Sequence, residues 1–257
     1  MNHSVSLQNS LPNDIALKIA LSLQVSDVCS LGSCSRFWRK LCGSDCVWEG
    51  LCRDRWPAID LDGESSADDN QNHQLDYLNL LGWKGLYVNK HNEMAGKAAS
   101  IFDYVERCLA FESIEVGYFL KAVEDLYAMQ FGFKDVQMFF LRSNINVLLN
   151  LIGLHYCISR LEVPAECVAE ALRMCKISER QVCVRWWKLG RWFYGFRLRD
   201  ELFSRNVALE DLASSKQDEV LGVLHRGAIH EVLRVQISAA KPECTPWSCQ
   251  SAESGNN

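Results

Sequence analysis

The stretch from Leu11 to Trp48, LPNDIALKIALSLQVSDVCSLGSCSRFWRKLCGSDCVW, decides the fold of the first part of this chain. Its first helical run, residues 14–23, carries only three polar or charged side chains: Asp14, Lys18 and Ser22. This spacing puts them in one narrow stripe and leaves the rest of the helix surface apolar. A surface helix of a lone domain carries a broad polar face instead. We therefore expect this helix to be covered by later parts of the chain or by another protein.

The rest of the stretch carries further helix signals. Pro12 stands at the start of the first run, where a fixed φ and a missing N–H are tolerated. Ser26-Asp27 offers a helix cap, Gly32 allows a bend, and Asp45 is placed to cap a last short turn. These signals predict three short helices that are closed by Trp48.

Here the residues resemble the F-box pattern, in order and without a gap, from Leu11 to about Trp56. The positions that carry the resemblance are Leu11-Pro12, Asp14-Ile15, Ile19, Leu23, Asp27-Val28, Leu31, Cys34-Ser35-Arg36, Trp38, Leu41, Asp45 and Trp48. The resemblance implies a three-helix module that interlocks with the Skp-type adaptor of a cullin–RING ubiquitin ligase. The alternative is a small helical bundle whose apolar first helix faces the C-terminal part of its own chain.

The resemblance also implies which residues contact the adaptor. Leu11 and Pro12 match the Leu-Pro pair with which the family contacts it, and the large apolar residues that follow extend the same surface. The predicted adaptor-binding residues are Leu11, Pro12, Ile15, Ile19, Leu23 and Leu31. Trp38 and Trp48 are expected to hold the module's own fold.

Composition describes an ordinary folded protein. The 257 residues are 48% hydrophobic and 23% charged, with a net charge of −5 and a pI of about 5.7. This balance argues against nucleic-acid binding by the whole chain, because that binding needs an excess of Lys and Arg. No apolar run reaches the roughly 20 residues of a membrane span, and the first ten residues do not resemble a signal peptide. We expect an intracellular protein, in the nucleus, the cytoplasm or both, with its twelve cysteines reduced.

The pattern predicts a mostly α protein: the N-terminal three-helix F-box and a larger C-terminal helical domain, with room for a short strand near the C-terminus. Ser178 and Gln181 have capping-box spacing, which favours a helix there, although alternation in the residues that follow leaves a strand open. The predicted divisions are a loose N-terminus (1–10), the F-box (11–57), an acidic linker (58–74), a helical target-binding domain (75–238) and a disordered tail (239–257).

No pattern points to catalysis, a metal or a cofactor. The cysteines lack the paired spacing of a zinc site, and no nucleophile elbow, phosphate-binding loop or dinucleotide motif is present. His155 and Cys157 lie close in sequence, but nothing around them marks a nucleophilic pair. We therefore expect a non-catalytic chain without cofactor or metal.

The segment RWWKLGRWFYGFRLRD, residues 185–200, interleaves six aromatic with five basic residues. The preferred interpretation is that its aromatics fill the core of the helical domain while the basic side chains lie over the rim. Three functional alternatives are a protein-recognition surface, a site for single-stranded nucleic acid and a membrane-surface anchor. A protein-recognition surface leads among them, with the candidate residues Arg185, Trp187, Arg191, Trp192 and Tyr194.

The function that the resemblance implies is that of a substrate receptor. The F-box binds the adaptor, and through it the cullin and RING subunits, while the C-terminal region binds an unknown protein target for ubiquitination. The alternative is an adaptor-binding F-box protein that acts outside a cullin ligase as an interaction scaffold. An enzyme with an unrecognised helical site is a third hypothesis, for which the sequence offers no residue set.

Overall fold

The structure, a computed structural model, describes residues 11–57, 69–214 and 216–240, and for residues 69–80 it describes the backbone alone. The chain divides into two compact units. Unit 1 is the chain up to Phe102 together with Ala128–Phe139, and unit 2 is Asp103–Tyr127 and the chain from Phe140 onward. The predicted N-terminal segment, most of the predicted linker and most of the predicted tail lie outside the described residues.

The described elements follow in chain order. The helices are α1 (Asn13–Leu21), α2 (Val25–Cys34), α3 (Arg36–Cys42), α4 (Asp45–Arg55), α5 (Asp69–Cys108), α6 (Val116–Ala128), α7 (Phe133–Phe139), α8 (Val147–Ser159), α9 (Ala165–Met174), α10 (Leu209–Ala213) and α11 (Asp218–Arg226). The strands are β1 (Ser113–Glu115), β2 (Gln181–Lys188), β3 (Trp192–Phe193), β4 (Phe196–Arg197), β5 (Glu201–Ala208) and β6 (Val232–Ala239).

The N-terminal stretch forms four helices, one more than predicted. Pro12 is the N-cap of α1, and α2 runs through Gly32 without a bend. The chain instead turns at Ser35, whose hydroxyl accepts a hydrogen bond from the backbone N–H of Trp38 at 3.3 Å. Trp48 lies inside α4, which continues to Arg55. The extra helix therefore lies where the sequence predicted only a short closing turn.

Helix α5 begins inside the predicted linker. It starts at Asp69 and is interrupted at Gly82, whose φ of 68° and ψ of −178° are outside the helical region. The carboxylate of Asp45 accepts a hydrogen bond from the backbone N–H of Trp83 at 3.3 Å, and a Cβ at Gly82 would lie 2.9 Å from the same oxygen. Gly82 therefore suits both the positive φ and the close approach of Asp45.

A buried ion pair closes the core of unit 1. Arg55 at the end of α4 donates from Nε to Asp135 of α7 at 2.8 Å, and neither side chain is more than 4% exposed. Arg55 Nη1 also donates to the Tyr87 hydroxyl at 2.8 Å and lies 3.1 Å from Nδ1 of His91. The second Asp135 oxygen accepts from the Trp56 indole N–H at 3.1 Å. Burial and the nearby Arg55 charge lower the pKa of His91.

Unit 2 contains a sheet that the sequence analysis did not predict. Four antiparallel strands pair in the order β1-β6-β2-β5, and β3 pairs with β4 in a separate hairpin. The predominance of helix is confirmed, but the expectation of at most a short C-terminal strand is wrong. The capping-box interpretation of Ser178 and Gln181 is also wrong, because Gln181 begins β2.

Helix α8 fills the centre of unit 2. Every residue from Val147 to Cys157 is buried, as expected of a helix that is apolar all round and enclosed on every side. It packs against β2 and β6 and against α9 and α10. The sheet meets it with alternating buried residues, Val182, Val184 and Trp186 in β2 and Val235 and Ile237 in β6.

We predict that Asp135→Ala destabilises unit 1 by about 3–5 kcal/mol, because it leaves the Arg55 charge buried without its carboxylate. The exposed pair between Lys134 and Asp54 supplies the matched control, and Lys134→Ala is expected to cost less than about 1 kcal/mol. Urea denaturation followed by tryptophan fluorescence measures both losses. Equal losses in the two variants contradict the prediction.

We predict that unit 2 loses stability in mild acid because of His155. Burial, and to a smaller extent the neighbouring His225, lower the pKa of His155 from 6.5 to about 3. Between these values the unfolded chain binds a proton that the folded chain does not, so stability falls as pH falls from 6.5 towards 3. Well inside this window, the free energy of unfolding falls by about 1.4 kcal/mol for each pH unit.

Denaturation at a series of pH values, in the wild type and in His155→Leu, measures that slope. The substitution is expected to flatten it, whereas His230→Asn, at an exposed histidine, leaves it unchanged. A slope in His155→Leu as steep as that of the wild type contradicts the assignment.

Candidate functional site

Helix α1 turns its small residues inward and its large residues outward. Ala16 and Ala20 are fully buried, while Ile15 and Ile19 are 44% and 40% exposed. The helix packs on α3 and α4. An amphipathic surface helix normally buries its largest apolar side chains. The reverse arrangement leaves a stripe of isoleucine on the surface of unit 1, uncovered by the described residues.

The other predicted adaptor-binding residues extend this stripe at both ends. Pro12 is exposed and precedes α1, while Leu11 and Leu23 are half-buried on either side of the helix. Leu31 is half-buried on α2. We call Leu11, Pro12, Ile15, Ile19 and Leu23 the α1 stripe.

Leu21 is a further exposed apolar residue that the sequence analysis missed. It is 42% exposed at the end of α1. A Cβ at Gly50 of α4 would lie 2.8 Å from Leu21 Cδ2, so α4 leaves space for this side chain by carrying a glycine. On the helix, Leu21 lies on the opposite flank of Ala16 and Ala20 from Ile15 and Ile19, so the spacing of the predicted residues could not have identified it.

Two tryptophans lie in α3 and α4, the helices on which α1 packs. Trp48 is buried, as expected, and its indole N–H donates to the Cys42 carbonyl at 2.8 Å. Its ring meets that of Tyr87 edge-on, with centroids 5.4 Å apart. Trp38 is half-buried and lies against Phe37, with ring centroids 5.3 Å apart. Trp48 therefore joins α4 to the end of α3 and to α5.

The second candidate site is a hairpin in unit 2 formed by β3 and β4. Phe193 pairs with Phe196, and the two residues between them, Tyr194 and Gly195, have φ values of 46° and 84°. Positive φ at both central positions is the signature of a type I′ turn, the tight turn that suits the twist of two paired strands. Gly195 supplies one of these positions at no steric cost.

The base of the hairpin is held by Asp200. Its carboxylate accepts from the backbone N–H of Gly190 at 2.9 Å and from Arg197 at 2.7 Å. The hydrogen bond from Gly190 lowers the pKa of Asp200 the most, and the hydrogen bond from Arg197 lowers it further. A Cβ at Gly190 would lie 2.0 Å from the Leu198 carbonyl oxygen, so only glycine fits where the hairpin leaves β2.

The hairpin carries its aromatic side chains into water. Trp192 is 74% exposed and Tyr194 is 87% exposed, and Phe193 and Phe196 are exposed as well. Among the aromatics of residues 185–200, only Trp186 is buried, where it stacks on Phe203 with centroids 5.5 Å apart. The preferred interpretation, that these rings fill the core, is therefore wrong for the hairpin.

The structure divides the predicted target-binding residues between the hairpin and the sheet. Arg191, Trp192 and Tyr194 lie on or beside the hairpin and are exposed. Arg185 and Trp187 lie in β2, on the sheet face opposite to buried Trp186, and both are half-buried. The guanidinium of Arg234 lies 5.3 Å from the Trp187 ring centroid. The two groups belong to one continuous segment, with Phe193, Phe196 and Leu198 as exposed members that were not predicted.

No group of three or more His, Cys, Asp or Glu side chains in residues 11–57, 69–214 and 216–240 is arranged to hold a metal ion. Of the helices in these ranges, none combines the length and apolar character needed to cross a bilayer.

Comparison with known proteins identifies one region. Residues 8–54 match the model of the F-box-like family. This match includes all of α1, α2 and α3, nearly all of α4, and every predicted adaptor-binding residue. No curated protein and no solved structure matches the chain. The hairpin and the sheet of unit 2 therefore have to be interpreted from their own geometry.

We predict that replacing two exposed residues of the α1 stripe leaves unit 1 stable. In Ile15→Ser with Ile19→Ser, the free energy of unfolding should fall by less than about 1 kcal/mol, because exposed side chains lose little burial. Val28→Ala and Val47→Ala, which truncate fully buried side chains of the same unit, should each cost about 1–3 kcal/mol. Urea denaturation compares the variants, and a larger loss in the double variant contradicts the exposure of the stripe.

Proposed function

We propose that the chain binds a Skp-type adaptor through its α1 stripe, because residues 8–54 match the F-box-like family. In the same proposal, unit 2 binds a protein target, and the chain is the substrate-recognition subunit of a Skp–cullin–F-box ubiquitin ligase. The cullin and RING subunits are reached through the adaptor. The chain itself performs no chemistry, and its place of action is the nucleus, the cytoplasm or both.

The exposure of Ile15 and Ile19 is the observation that carries the adaptor proposal. Among the described residues, α1 fully buries only Ala16 and Ala20, and its two isoleucines remain exposed. Two exposed isoleucines on one helix suit burial by a partner protein. Burying one such side chain contributes about 1.5–3 kcal/mol before the entropic costs of association. The alternative of a bundle that covers its own α1 would require Ile15 and Ile19 to be buried by the chain's later residues, and among the described residues they are not.

The benefit of a receptor is proximity. A target held by unit 2 while the α1 stripe holds the adaptor would meet the ubiquitin-conjugating machinery at a high effective concentration. The exposed hairpin supports target binding by unit 2, because clustered Trp, Tyr and Arg side chains are typical of the positions that dominate protein interfaces. The candidates for target contact are Arg185, Trp187, Arg191, Trp192 and Tyr194.

We predict that Ile15→Ser with Ile19→Ser weakens adaptor binding by about a hundredfold, since each replaced side chain removes apolar burial at the interface. Surface plasmon resonance with immobilised Skp-type adaptor measures the change. Leu11→Ala with Pro12→Ala, at the entry to α1, is expected to act in the same direction. Tyr118→Ser, at an exposed apolar residue of unit 2, is the matched control and should bind as the wild type does.

Full adaptor binding by both double variants contradicts the proposal. A native pull-down with this chain as bait distinguishes the ligase from the scaffold alternative. If the chain belongs to a ligase, the cullin is recovered together with the adaptor. Adaptor without cullin in that pull-down favours a scaffold that acts outside a cullin ligase.

A further inference from the structure

The four-stranded sheet of unit 2 has two unequal edges. In the order β1-β6-β2-β5, the outer strands are β1 and β5. β1 is only three residues long, and a very short outer strand is one of the ways in which proteins protect a sheet from unwanted pairing. β5 is eight residues long and pairs with β2 without a register shift from Ala208 to Glu201.

The outer edge of β5 is open to solvent. Five of the six residues from Glu201 to Asn206 are exposed and the sixth, Phe203, is half-buried. Within the parts of the chain that the structure describes, no strand pairs with β5 on the side away from β2. Alternate residues of an outer strand direct their N–H and C=O groups away from the sheet. β5 lacks the proline or bulge that would disable such an edge.

The chain segment that leads to and forms this edge, residues 185–205, carries more basic than acidic side chains, although Lys188 is paired with Glu219. Residues 185–205 contain six Arg or Lys side chains and two acidic ones, in a chain whose net charge is −5. The acidic Asp200 is already bonded to Gly190 and Arg197. Arg185 and Arg205 have no ion pair among the described residues, and Arg185 Nε is buried without a hydrogen-bond partner. These charges suit an acidic partner.

Apolar surface lies beside the charges. Leu202 of β5 is 56% exposed, and it is directly opposite Trp187 in the β2–β5 register. Ser204 stands opposite Arg185 on the same face, and its small side chain leaves the space above it open. A strand added to β5 would thus find, on one face, an apolar position followed two residues later by a cationic one.

We propose that the outer edge of β5 binds an acidic, extended segment of the target protein as a fifth strand of the sheet. The inference rests on the proposed function, because it names the kind of target that unit 2 recognises. Main-chain hydrogen bonds to β5 hold the segment, and Arg185, Arg205, Trp187 and Leu202 select its side chains. The open N–H and C=O groups of Glu201–Asn206 match a peptide backbone. A nucleic acid backbone has no such alternation of donors and acceptors.

The test uses the full chain and a fluorescein-labelled acidic peptide of two Val-Val-Glu-Glu repeats, which places an apolar and an acidic side chain two residues apart on each face of a strand. Three matched probes accompany it: a Val-Val-Lys-Lys peptide of the same length, the acidic peptide N-methylated at alternate residues, and a ten-nucleotide oligothymidylate. Fluorescence anisotropy is expected to show that the acidic peptide binds at least about tenfold more tightly than each of the others. N-methylation removes backbone donors and keeps the side chains, so it isolates the strand pairing.

Hydrogen exchange and charge reversal locate the binding. The peptide should slow amide exchange within Glu201–Asn206, while Val182–Trp186 of β2, already paired on both sides, stays protected throughout. The double variant Arg185→Glu with Arg205→Glu should bind the peptide at least about tenfold more weakly than the wild type does. Arg226→Glu, at an exposed arginine of α11, should leave the affinity within about twofold. If the β2 amides remain protected from hydrogen exchange in each variant, the sheet is still folded.

Tighter binding of the oligothymidylate, equal binding of the N-methylated peptide, or peptide binding without protection of β5 overturns the inference. A dimer whose β5 amides are protected in the absence of peptide overturns it too, since a second copy then occupies the edge. Adaptor binding is measured on the same samples. If it is retained while the peptide fails, the strand inference falls and the adaptor proposal stands.

Discussion

Ala16 and Ala20 are the residues through which α1 packs on the rest of the F-box-like domain, and their small size governs what the domain presents. With only a methyl group at each inward position, α1 can lie close to its neighbours, and its bulkier residues are left on the other side. Gly50 of α4 also allows α1 and α4 to lie close together, because it leaves space for Leu21. The exposed isoleucines follow from this packing and are the physical basis of the adaptor proposal.

The ion pair between Arg55 and Asp135 extends the domain beyond the helices of the matched region. Arg55 follows the last matched residue, and its partners Tyr87 and Asp135 lie on α5 and α7. A buried charge has to be paired to be stable. The pair therefore ties the end of α4 to elements that are distant in sequence, and α1 to α4 belong to the same compact unit as α7 and the part of α5 up to Phe102.

Unit 2 exposes apolar residues by a different route. In β2 the pleat of the strand sends Trp186 into the core and Trp187 to the opposite face, although the two are adjacent. Beyond β2, Gly190 and the turn at Tyr194-Gly195 carry four aromatic rings away from the core. Both candidate sites thus place apolar side chains on backbone that is held by regular structure, which limits the entropy lost on binding.

The sequence by itself determined the helical N-terminal module, its F-box resemblance and the positions of the helices rich in apolar residues, because these depend on local spacing and on residues close in the chain. It also marked residues 185–200 as unusual. Only the tertiary structure decided that Ile15 and Ile19 face outward, that Gln181 opens a strand and that Trp192 and Tyr194 reach water. These outcomes depend on partners far away in sequence, such as Phe203 and Val235 beside Trp186, because burial belongs to the packed chain and not to the pattern of one segment.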